Sequence, residues 1–336
     1  MTAKKKYTGD IRWGIIGCGN VTEVKSGPAY QQVAGFQLVA VMRRDVEKLK
    51  DYAQRHRINK YYTTAEELIN DNDIDAVYIA TPPDSHKHYA LLVAAAGKPC
   101  CIEKPLAPCY QDSHAIYEAF KNKDIPLFVA YYRRSLPRFN QVKTWLDNNA
   151  IGDLRHISWN FSKRPNNVDL SGAYNWRTDA KVAPGGYFDD LASHGLDLFT
   201  FLLGDIKEVY GISRNQQQLY LAKDAMAACW LHDGKITGTG YWNFGCEHYE
   251  DNVSLFGSKG KITFSVFGEN QLVLESNGLR EEIFIDNPKN IQLNHVENIK
   301  RHLFEDDYIH PSNVYTATHT SWVMDKILGV SEIILS

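Results

Sequence analysis

The segment IRWGIIGCGNVT, residues 11–22, decides the fold of this chain. Its first seven residues are mostly apolar and predict a strand, which ends in the turn Gly17-Cys18-Gly19. A helix is predicted from about Val21, directly after that turn. A strand, a glycine turn and a helix in this order begin a βαβ unit, and a βαβ unit predicts a parallel sheet.

The rest of the first 137 residues continues the alternation. Further strands are predicted in FQLVAVM (36–42), DAVYIA (75–80), KPCCIEK (98–104) and DIPLFVAYY (124–132). Helices are predicted between them, near residues 46–56 and over residues 84–97, the second with Asp84 as N-cap and Gly97 just past its end.

The pattern changes after about residue 138. DLRHISWNF (153–161) is a long predicted strand with no helix after it, and two hairpins are predicted around residues 233–234 and 257–260. Two more strands and two helices, near residues 291–303 and 314–328, complete the chain. We therefore expect an α/β protein with an N-terminal domain on a parallel sheet, residues 1–137, and a C-terminal α+β domain, residues 138–336, with a large, mostly antiparallel sheet.

Composition excludes several classes of protein. The chain has 336 residues with 37 basic and 40 acidic side chains, so it lacks the basic excess that nucleic-acid binding needs. No apolar run approaches the roughly 20 residues that span a bilayer. The six cysteines are scattered and form no C-x-x-C motif, so we expect neither a metal site nor a disulfide framework, and we expect a cytoplasmic location. Cys100 and Cys101 are neighbours on one strand and should point to opposite faces as small buried side chains.

The glycine turn is a candidate dinucleotide site, because pyrophosphate binds backbone N–H groups where a first strand gives way to a helix. The predicted contacts are residues 17–21: Gly17, Cys18, Gly19, Asn20 and Val21. Thr22 stands at the third position, where glycine or alanine is usual. The alternative is a glycine-rich turn with no ligand.

The end of the second strand bears on the cofactor. An acidic residue there binds the ribose hydroxyl of NAD, but this strand ends in Arg43 and Arg44, and guanidinium groups suit the 2′-phosphate of NADP. NADP is therefore favoured over NAD. Two alternatives stay open: Asp45 could bind a ribose, or both arginines could face solvent.

Three further motifs accompany the turn: ATPPDSH (80–86), EKP (103–105) and GGYFDDLASHGLD (185–197). Together they make the chain resemble the Gfo/Idh/MocA oxidoreductase family over almost its whole length. The resemblance implies a nicotinamide-side segment, an E-K-P motif with a catalytic lysine, and an Asp–His pair. In this sequence the nicotinamide-side segment contributes Thr81, Pro82 and His86. The E-K-P motif contributes Glu103 and the catalytic Lys104, and the Asp–His pair is Asp190 and His194. It further implies that residues 1–137 form a Rossmann dinucleotide-binding domain and that residues 138–336 form a domain with an open sheet for substrate binding and oligomerisation. It also suggests Tyr132, Trp176 and Arg177 as substrate contacts.

The residues themselves support this chemistry. Lys104 ends a predicted parallel strand, where ligands bind in open α/β sheets, and an ammonium there stabilises charge on a substrate oxygen. Asp190 and His194 are four residues apart on a predicted helix, so the carboxylate could orient the imidazole. The alternatives are a surface lysine, and a helix-surface ion pair or a buried structural histidine.

These observations predict hydride transfer between a nicotinamide cofactor and the hydroxyl or carbonyl carbon of a sugar, polyol or related diol. His194 would take the hydroxyl proton, and Lys104 would stabilise the developing alkoxide. The alternatives are an NAD-dependent glycosidase of the same fold and a non-catalytic nucleotide sensor. The apolar strands of the second domain predict a sheet face that another subunit covers, and the resemblance suggests a homodimer or homotetramer.

Overall fold

The computed structural model describes residues 7–330, which form two compact units. The first unit extends to Ala107 and adds Gln111–Leu136 and Pro288–Thr318. The second unit contains Pro108–Tyr110, Pro137–Asn287 and the chain from His319 onward. The proposed functional division at residue 137, between a cofactor domain and a substrate domain, stays a prediction.

The predicted helices and strands are present, and the structure adds several that were not predicted, among them the helices over residues 110–121 and 137–147 and the strand over residues 206–214. The helices are α1 (Asn20–Val24), α2 (Gly27–Gln32), α3 (Val46–His56), α4 (Ala65–Asn70), α5 (His86–Ala95), α6 (Tyr110–Lys121), α7 (Pro137–Asp147), α8 (Asn167–Leu170), α9 (Ser193–Leu203), α10 (Leu293–Phe304) and α11 (Val314–Leu328). The strands are β1 (Ile11–Ile16), β2 (Phe36–Met42), β3 (Lys60–Tyr62), β4 (Ala76–Ile79), β5 (Cys100–Ile102), β6 (Leu127–Val129), β7 (Leu154–Ser162), β8 (Ile206–Arg214), β9 (Ala225–His232), β10 (Thr237–Asn243), β11 (Glu250–Gly257), β12 (Gly260–Phe264), β13 (Leu272–Ser276) and β14 (Leu279–Ile283).

The first unit is built on a six-stranded parallel sheet in the order β3-β2-β1-β4-β5-β6. The order reverses direction at β1 and β4, the arrangement of a doubly wound Rossmann sheet. Strand β3 was not predicted, because its three residues, KYY, are too short to show a pattern. Cys100 and Cys101 belong to the two different core clusters on opposite faces of this sheet, which confirms their predicted role as buried packing residues.

Helix α10 packs with the first unit although it follows the strands of the second unit in sequence. Its apolar residues Val296 and Ile299 are fully buried in the same core cluster as Trp13 and Tyr78 of the parallel sheet. The chain returns to the first sheet because that face would otherwise leave large aromatic side chains exposed to water.

The second unit contains an eight-stranded sheet in the order β14-β13-β12-β11-β7-β10-β9-β8. Only the β10–β7 pair is parallel; the other pairs are antiparallel, as predicted. The predicted fold class is confirmed.

Two local predictions were wrong. Asp84 is not the N-cap of α5, because Pro83–Ser85 form a 3₁₀ turn and Ser85 occupies the capping position. The prolines 82 and 83 fix φ in the helical range and start this turn before the α-helix. The predicted helix over residues 189–204 begins with a π-helical turn, Phe188–Ala192, and becomes α-helical only at Ser193.

No helix among residues 7–330 is long and apolar enough to cross a membrane. In the same part of the chain, no group of three or more His, Cys, Asp or Glu side chains is placed to hold a metal ion.

Candidate active site

The two glycines of the turn after β1 are required for different reasons. Gly17 has φ +92°, and a Cβ atom there would lie 2.6 Å from the Thr81 side chain, so the turn packs directly against the loop after β4. At Gly19 the nearest atom to a Cβ would be the Gly17 carbonyl oxygen, 3.9 Å away. A side chain at Gly19 would therefore fill an open space beside the backbone, which is where a pyrophosphate needs close approach.

Thr22, the departure from the usual third glycine, has a structural explanation. Its hydroxyl accepts a hydrogen bond from the Gly19 N–H at 3.0 Å and donates to the Gly19 carbonyl oxygen at 2.8 Å. The close packing that a third glycine usually permits occurs instead at Gly27, where a Cβ would lie 2.2 Å from the Thr22 carbonyl oxygen. The substitution thus stabilises the turn and leaves the open space at Gly19 intact.

Arg43 lies over the glycine turn. Its Nη1 donates to the Cys18 carbonyl oxygen at 2.9 Å, which places the guanidinium beside the turn, at the end of β2. Asp45 caps helix α3, where its carboxylate accepts a hydrogen bond from the Lys48 N–H at 3.1 Å. Arg44 is exposed. Asp45 is thus engaged in helix capping, while a cation lies next to the turn.

His86 holds the segment after β4 in place through hydrogen bonds, and its side chain has no exposed surface. Its Nε2 lies 2.8 Å from the Thr81 carbonyl oxygen, and its Nδ1 lies 3.1 Å from that of Pro105. Burial lowers the pKa of His86. His86 therefore joins the loop after β4 to the loop after β5. Because His86 is buried, it would act on a cofactor only by positioning Thr81 and Pro82.

Glu103 and Lys104 follow β5, so they lie at the same edge of the parallel sheet as the glycine turn. Lys104 is half-buried, and the peptide bond between Lys104 and Pro105 is cis. The Glu103 carboxylate is 7% exposed and accepts hydrogen bonds from the Tyr78 hydroxyl at 2.5 Å and the Gln292 amide at 2.9 Å. These two donors hold the carboxylate that immediately precedes Lys104.

Asp190 and His194 lie in the second unit, where the π turn runs into α9. The Asp190 carboxylate accepts a hydrogen bond from Arg177 Nε at 2.8 Å, and His194 is 5% exposed. Gly195 lets this segment lie against the sheet, because a Cβ there would be 2.3 Å from the Trp159 ring. The predicted Asp–His segment is thus packed on the sheet beside β7, with an arginine paired to its carboxylate.

The proposed substrate contacts fall in both units. Trp176 and Arg177 belong to the second, and the Arg177 guanidinium carbon lies 4.3 Å from the centre of the Trp176 ring. Tyr132 belongs to the first unit, where it begins a 3₁₀ turn after β6. Arg177 was predicted as a substrate contact; the structure adds its ion pair with Asp190.

Sequence reasoning missed several residues that support these groups. Asp169 is buried and accepts hydrogen bonds from the Tyr187 hydroxyl at 2.5 Å and the Asn175 amide at 3.0 Å. Lys163 lies with its Nζ 5.1 Å from the centre of the Tyr187 ring, and burial lowers its pKa. No short sequence motif marks these residues, because their contacts are made with residues further along the chain.

A six-stranded parallel sheet with a glycine turn after its first strand defines a Rossmann nucleotide-binding protein. Residues 11–131 match the family described as an oxidoreductase family with an NAD-binding Rossmann fold, and residues 139–263 match the GFO/IDH/MocA C-terminal domain. The chain belongs to the Gfo/Idh/MocA family of oxidoreductases, which confirms the resemblance of its motifs and its prediction as an enzyme.

Similar proteins cover most of the chain. Oxidoreductase P35 of Formosa agariphila is 36% identical over 320 residues, 95% of this chain and 98% of that protein. The trans-1,2-dihydrobenzene-1,2-diol dehydrogenase of Sus scrofa is 27% identical over 74% of this chain and 72% of its own. A levoglucosan dehydrogenase solved in complex with NADH and levoglucosan shares the fold with a TM-score of 0.82 at 20% identity, covering 95% of this chain and 96% of that one.

Proposed function

We propose that the protein is an NADP-preferring oxidoreductase that interconverts a hydroxyl and a carbonyl group on a sugar, polyol or related diol. The observation that carries the cofactor preference is at the end of β2, where Arg43 lies over the glycine turn and Asp45 caps α3. A guanidinium in that place suits a 2′-phosphate. The substrate class is supported by similar proteins that are named diol and levoglucosan dehydrogenases.

The cofactor would be held by residues that the fold gathers at the carboxyl edge of the parallel sheet. Gly17, Cys18, Gly19, Asn20 and Val21 would face the pyrophosphate, and Arg43 and Arg44 the 2′-phosphate. Thr81, Pro82, Glu103 and Lys104 would lie toward the nicotinamide, with His86 holding that segment from behind. The nicotinamide, when bound, supplies the hydride chemistry.

The protein's own groups would move the proton and stabilise charge. In oxidation, His194 takes the hydroxyl proton while the ammonium of Lys104 stabilises the negative charge that develops on the oxygen. The Asp190 carboxylate, which is paired with the Arg177 guanidinium, would orient the His194 imidazole and stabilise its protonated form. In reduction, His194 returns the proton.

A turnover screen tests this proposal. The wild-type protein and Lys104→Met are assayed with NAD and NADP against a panel of sugars, polyols and cyclic diols, following the absorbance of reduced nicotinamide. We expect turnover with at least one substrate and a loss of about 100-fold or more in kcat for Lys104→Met, because removal of one charge-stabilising group costs that much in other enzymes. Cofactor binding, measured by fluorescence, should change little.

The screen also separates the rival functions. Lys104→Met with unchanged turnover would contradict the assigned role. Glycoside hydrolysis without net reduced nicotinamide would identify the glycosidase, and cofactor binding without any turnover would identify the sensor.

A further inference from the structure

A buried hydrogen-bonded network lies directly behind the E-K-P motif in the first unit. The Glu103 Oε1 accepts hydrogen bonds from Tyr78 of β4 and from Gln292, which precedes α10. Tyr78 is 0% and Gln292 is 1% exposed, so both donors are shielded from water. A carboxylate buried in this way is stabilised by such donors and is costly to leave without them.

The geometry fixes the orientation of the Gln292 amide. A carboxylate only accepts hydrogen bonds, so the nitrogen of the amide must face Glu103. The backbone N–H of Gln292 donates to the Asn290 side chain at 3.2 Å, and the Asn290 amide donates to the Val24 carbonyl oxygen at 3.3 Å. Residues 290–292 therefore connect the end of α1, the helix after the glycine turn, to the carboxylate beside Lys104.

We propose that Gln292, together with Tyr78, is a positioning residue for Lys104: it holds the Glu103 carboxylate in one place, directly before the lysine. This inference rests on the proposed function, in which Lys104 stabilises charge on the substrate oxygen. The Lys104 N–H donates to Glu103 Oε2 at 3.4 Å, so a carboxylate held in one place also restrains the backbone that carries Lys104. Gln292 lies outside the two segments that match the family, residues 11–131 and 139–263.

The other titratable groups around Glu103 are held neutral. Burial raises the pKa of Tyr30, Tyr78 and Cys101 and lowers that of His86. His295 of α10, 3.8 Å from the Cys101 sulfur, has its pKa lowered to about 3 by burial. The side chains that donate to Glu103, Tyr78 and Gln292, are therefore neutral donors.

Two substitutions of Gln292 test this role through kcat. In Gln292→Met the donor is lost at nearly constant volume, so kcat should fall about 10-fold while the affinity for the cofactor changes little, because a hydrogen bond that places Lys104 is lost. In Gln292→Glu two carboxylates face each other, so kcat should fall about 10-fold or more at neutral pH and recover in part on acidification, when the pair shares a proton.

Asn298→Leu, in the helix that follows Gln292, is the matched control, since the Asn298 amide donates to Ser135 and not to Glu103. It should leave kcat and its pH profile unchanged. A purely structural role for Gln292 would lower kcat in parallel at every pH in both Gln292 variants, and that result would overturn the inference.

A measurement without turnover completes the test. In protein labelled with ¹³C at the glutamate carboxyl carbons, and with Glu103→Gln to assign the signal, the chemical shift of the Glu103 carboxyl carbon should differ from wild type in Gln292→Met and match it in Asn298→Leu, because only Gln292→Met removes a hydrogen bond to that carboxylate. An unchanged Glu103 signal in Gln292→Met would overturn the inference even if no substrate had been found. A wild-type protein without turnover on any substrate would instead contradict the proposed function.

Discussion

The environment of Arg43 bears directly on the choice between NADP and NAD. Its guanidinium is held at the glycine turn by the Cys18 carbonyl oxygen, and the nearby acid, Asp45, is engaged in capping α3. A single cation in this place can favour a phosphate over a hydroxyl by charge and geometry together.

Replacing Arg43 tests the proposed preference for NADP. We expect Arg43→Asp to lower kcat/KM with NADP by about 10- to 100-fold, because a charge-assisted contact contributes about 1.5–3 kcal/mol. The efficiency with NAD should be maintained or rise. Arg44→Ala, the adjacent exposed arginine, is the control and should have a smaller effect. Equal losses with both cofactors in Arg43→Asp would contradict the assignment.

Asp189, the neighbour of Asp190, is a buried carboxyl group whose pKa is raised to about 7, chiefly by burial. The folded pKa lies above the unfolded value of about 4, so its contribution to stability is complete below that value and is lost as the pH rises toward 7. The protein should therefore become less stable through this group between about pH 4 and pH 7.

Asp189→Asn removes this dependence, because an amide does not ionise. The free energy of unfolding of the variant relative to wild type should increase by on the order of 2 kcal/mol between pH 5 and pH 8, measured by urea denaturation. Asp233→Asn, at an exposed turn, should show no such increase. A constant difference between Asp189→Asn and wild type at all pH values would rule out ionisation of Asp189 as the cause.

At the level of secondary-structure elements, the segment that carries Arg177 is held by the buried carboxyl group of Asp169. Asp169 accepts hydrogen bonds from Tyr187 and Asn175, and the Asn175 side chain in turn accepts one from the Arg177 N–H. Tyr187 is also the residue that precedes the π turn. Asp169 thus connects the short 3₁₀ turn of Arg177 to the π turn of Asp190.

Loss of the Asp169 carboxylate should disturb both turns. We expect Asp169→Leu to lower the free energy of unfolding by about 1–3 kcal/mol, because buried donors lose their acceptor. It should also reduce kcat/KM about 10-fold or more through the displaced Arg177. Tyr187→Phe, which removes one donor and leaves the carboxylate in place, should reduce kcat/KM less. An Asp169→Leu protein with wild-type kcat/KM would show that Arg177 is placed without this connection.

At the scale of the whole molecule, the eight-stranded sheet has a face that the described residues of the second unit leave exposed. Tyr210 and Ile212 of β8 are 67% and 65% exposed, and Tyr241 of β10 lies on the same face. Tyr210 pairs with Cys229 across the strands, so the exposed surface continues onto β9. An apolar sheet face of this kind is commonly covered by another copy of the chain.

Charged substitutions on this face test the predicted homodimer or homotetramer. We expect the wild-type protein to be oligomeric at micromolar concentration in light scattering coupled to size exclusion, and Tyr210→Glu/Ile212→Lys to shift it toward the monomer. Lys50→Glu, on α3 of the first unit, changes an exposed charge in the other unit and should leave the mass unchanged. A monomeric wild-type protein would contradict the prediction.

Most strands and the motifs could be predicted from sequence, because each depends on a short local pattern. Strand β3 could not be predicted, since three residues show no period, and β8 was missed because its buried positions do not alternate regularly. The π turn at Phe188–Ala192 was missed because a single wide turn keeps the apolar pattern of a helix. The packing of α10 against the parallel sheet could not be predicted for a different reason. An apolar helix face does not show in the sequence which of two cores it packs against.

The sequence by itself determined the family, the parallel and antiparallel sheets, and the residues expected to carry chemistry, because glycine turns, strand periodicity and motif spacing are local properties. Tertiary structure decided what surrounds those residues. Thr22 replaces a glycine because its hydroxyl completes the turn, and His86 is enclosed between two loops. The Glu103 carboxylate is held by Gln292, 189 positions away. Hydrogen bonds between distant segments form only when the core brings them together, so no local pattern could predict them.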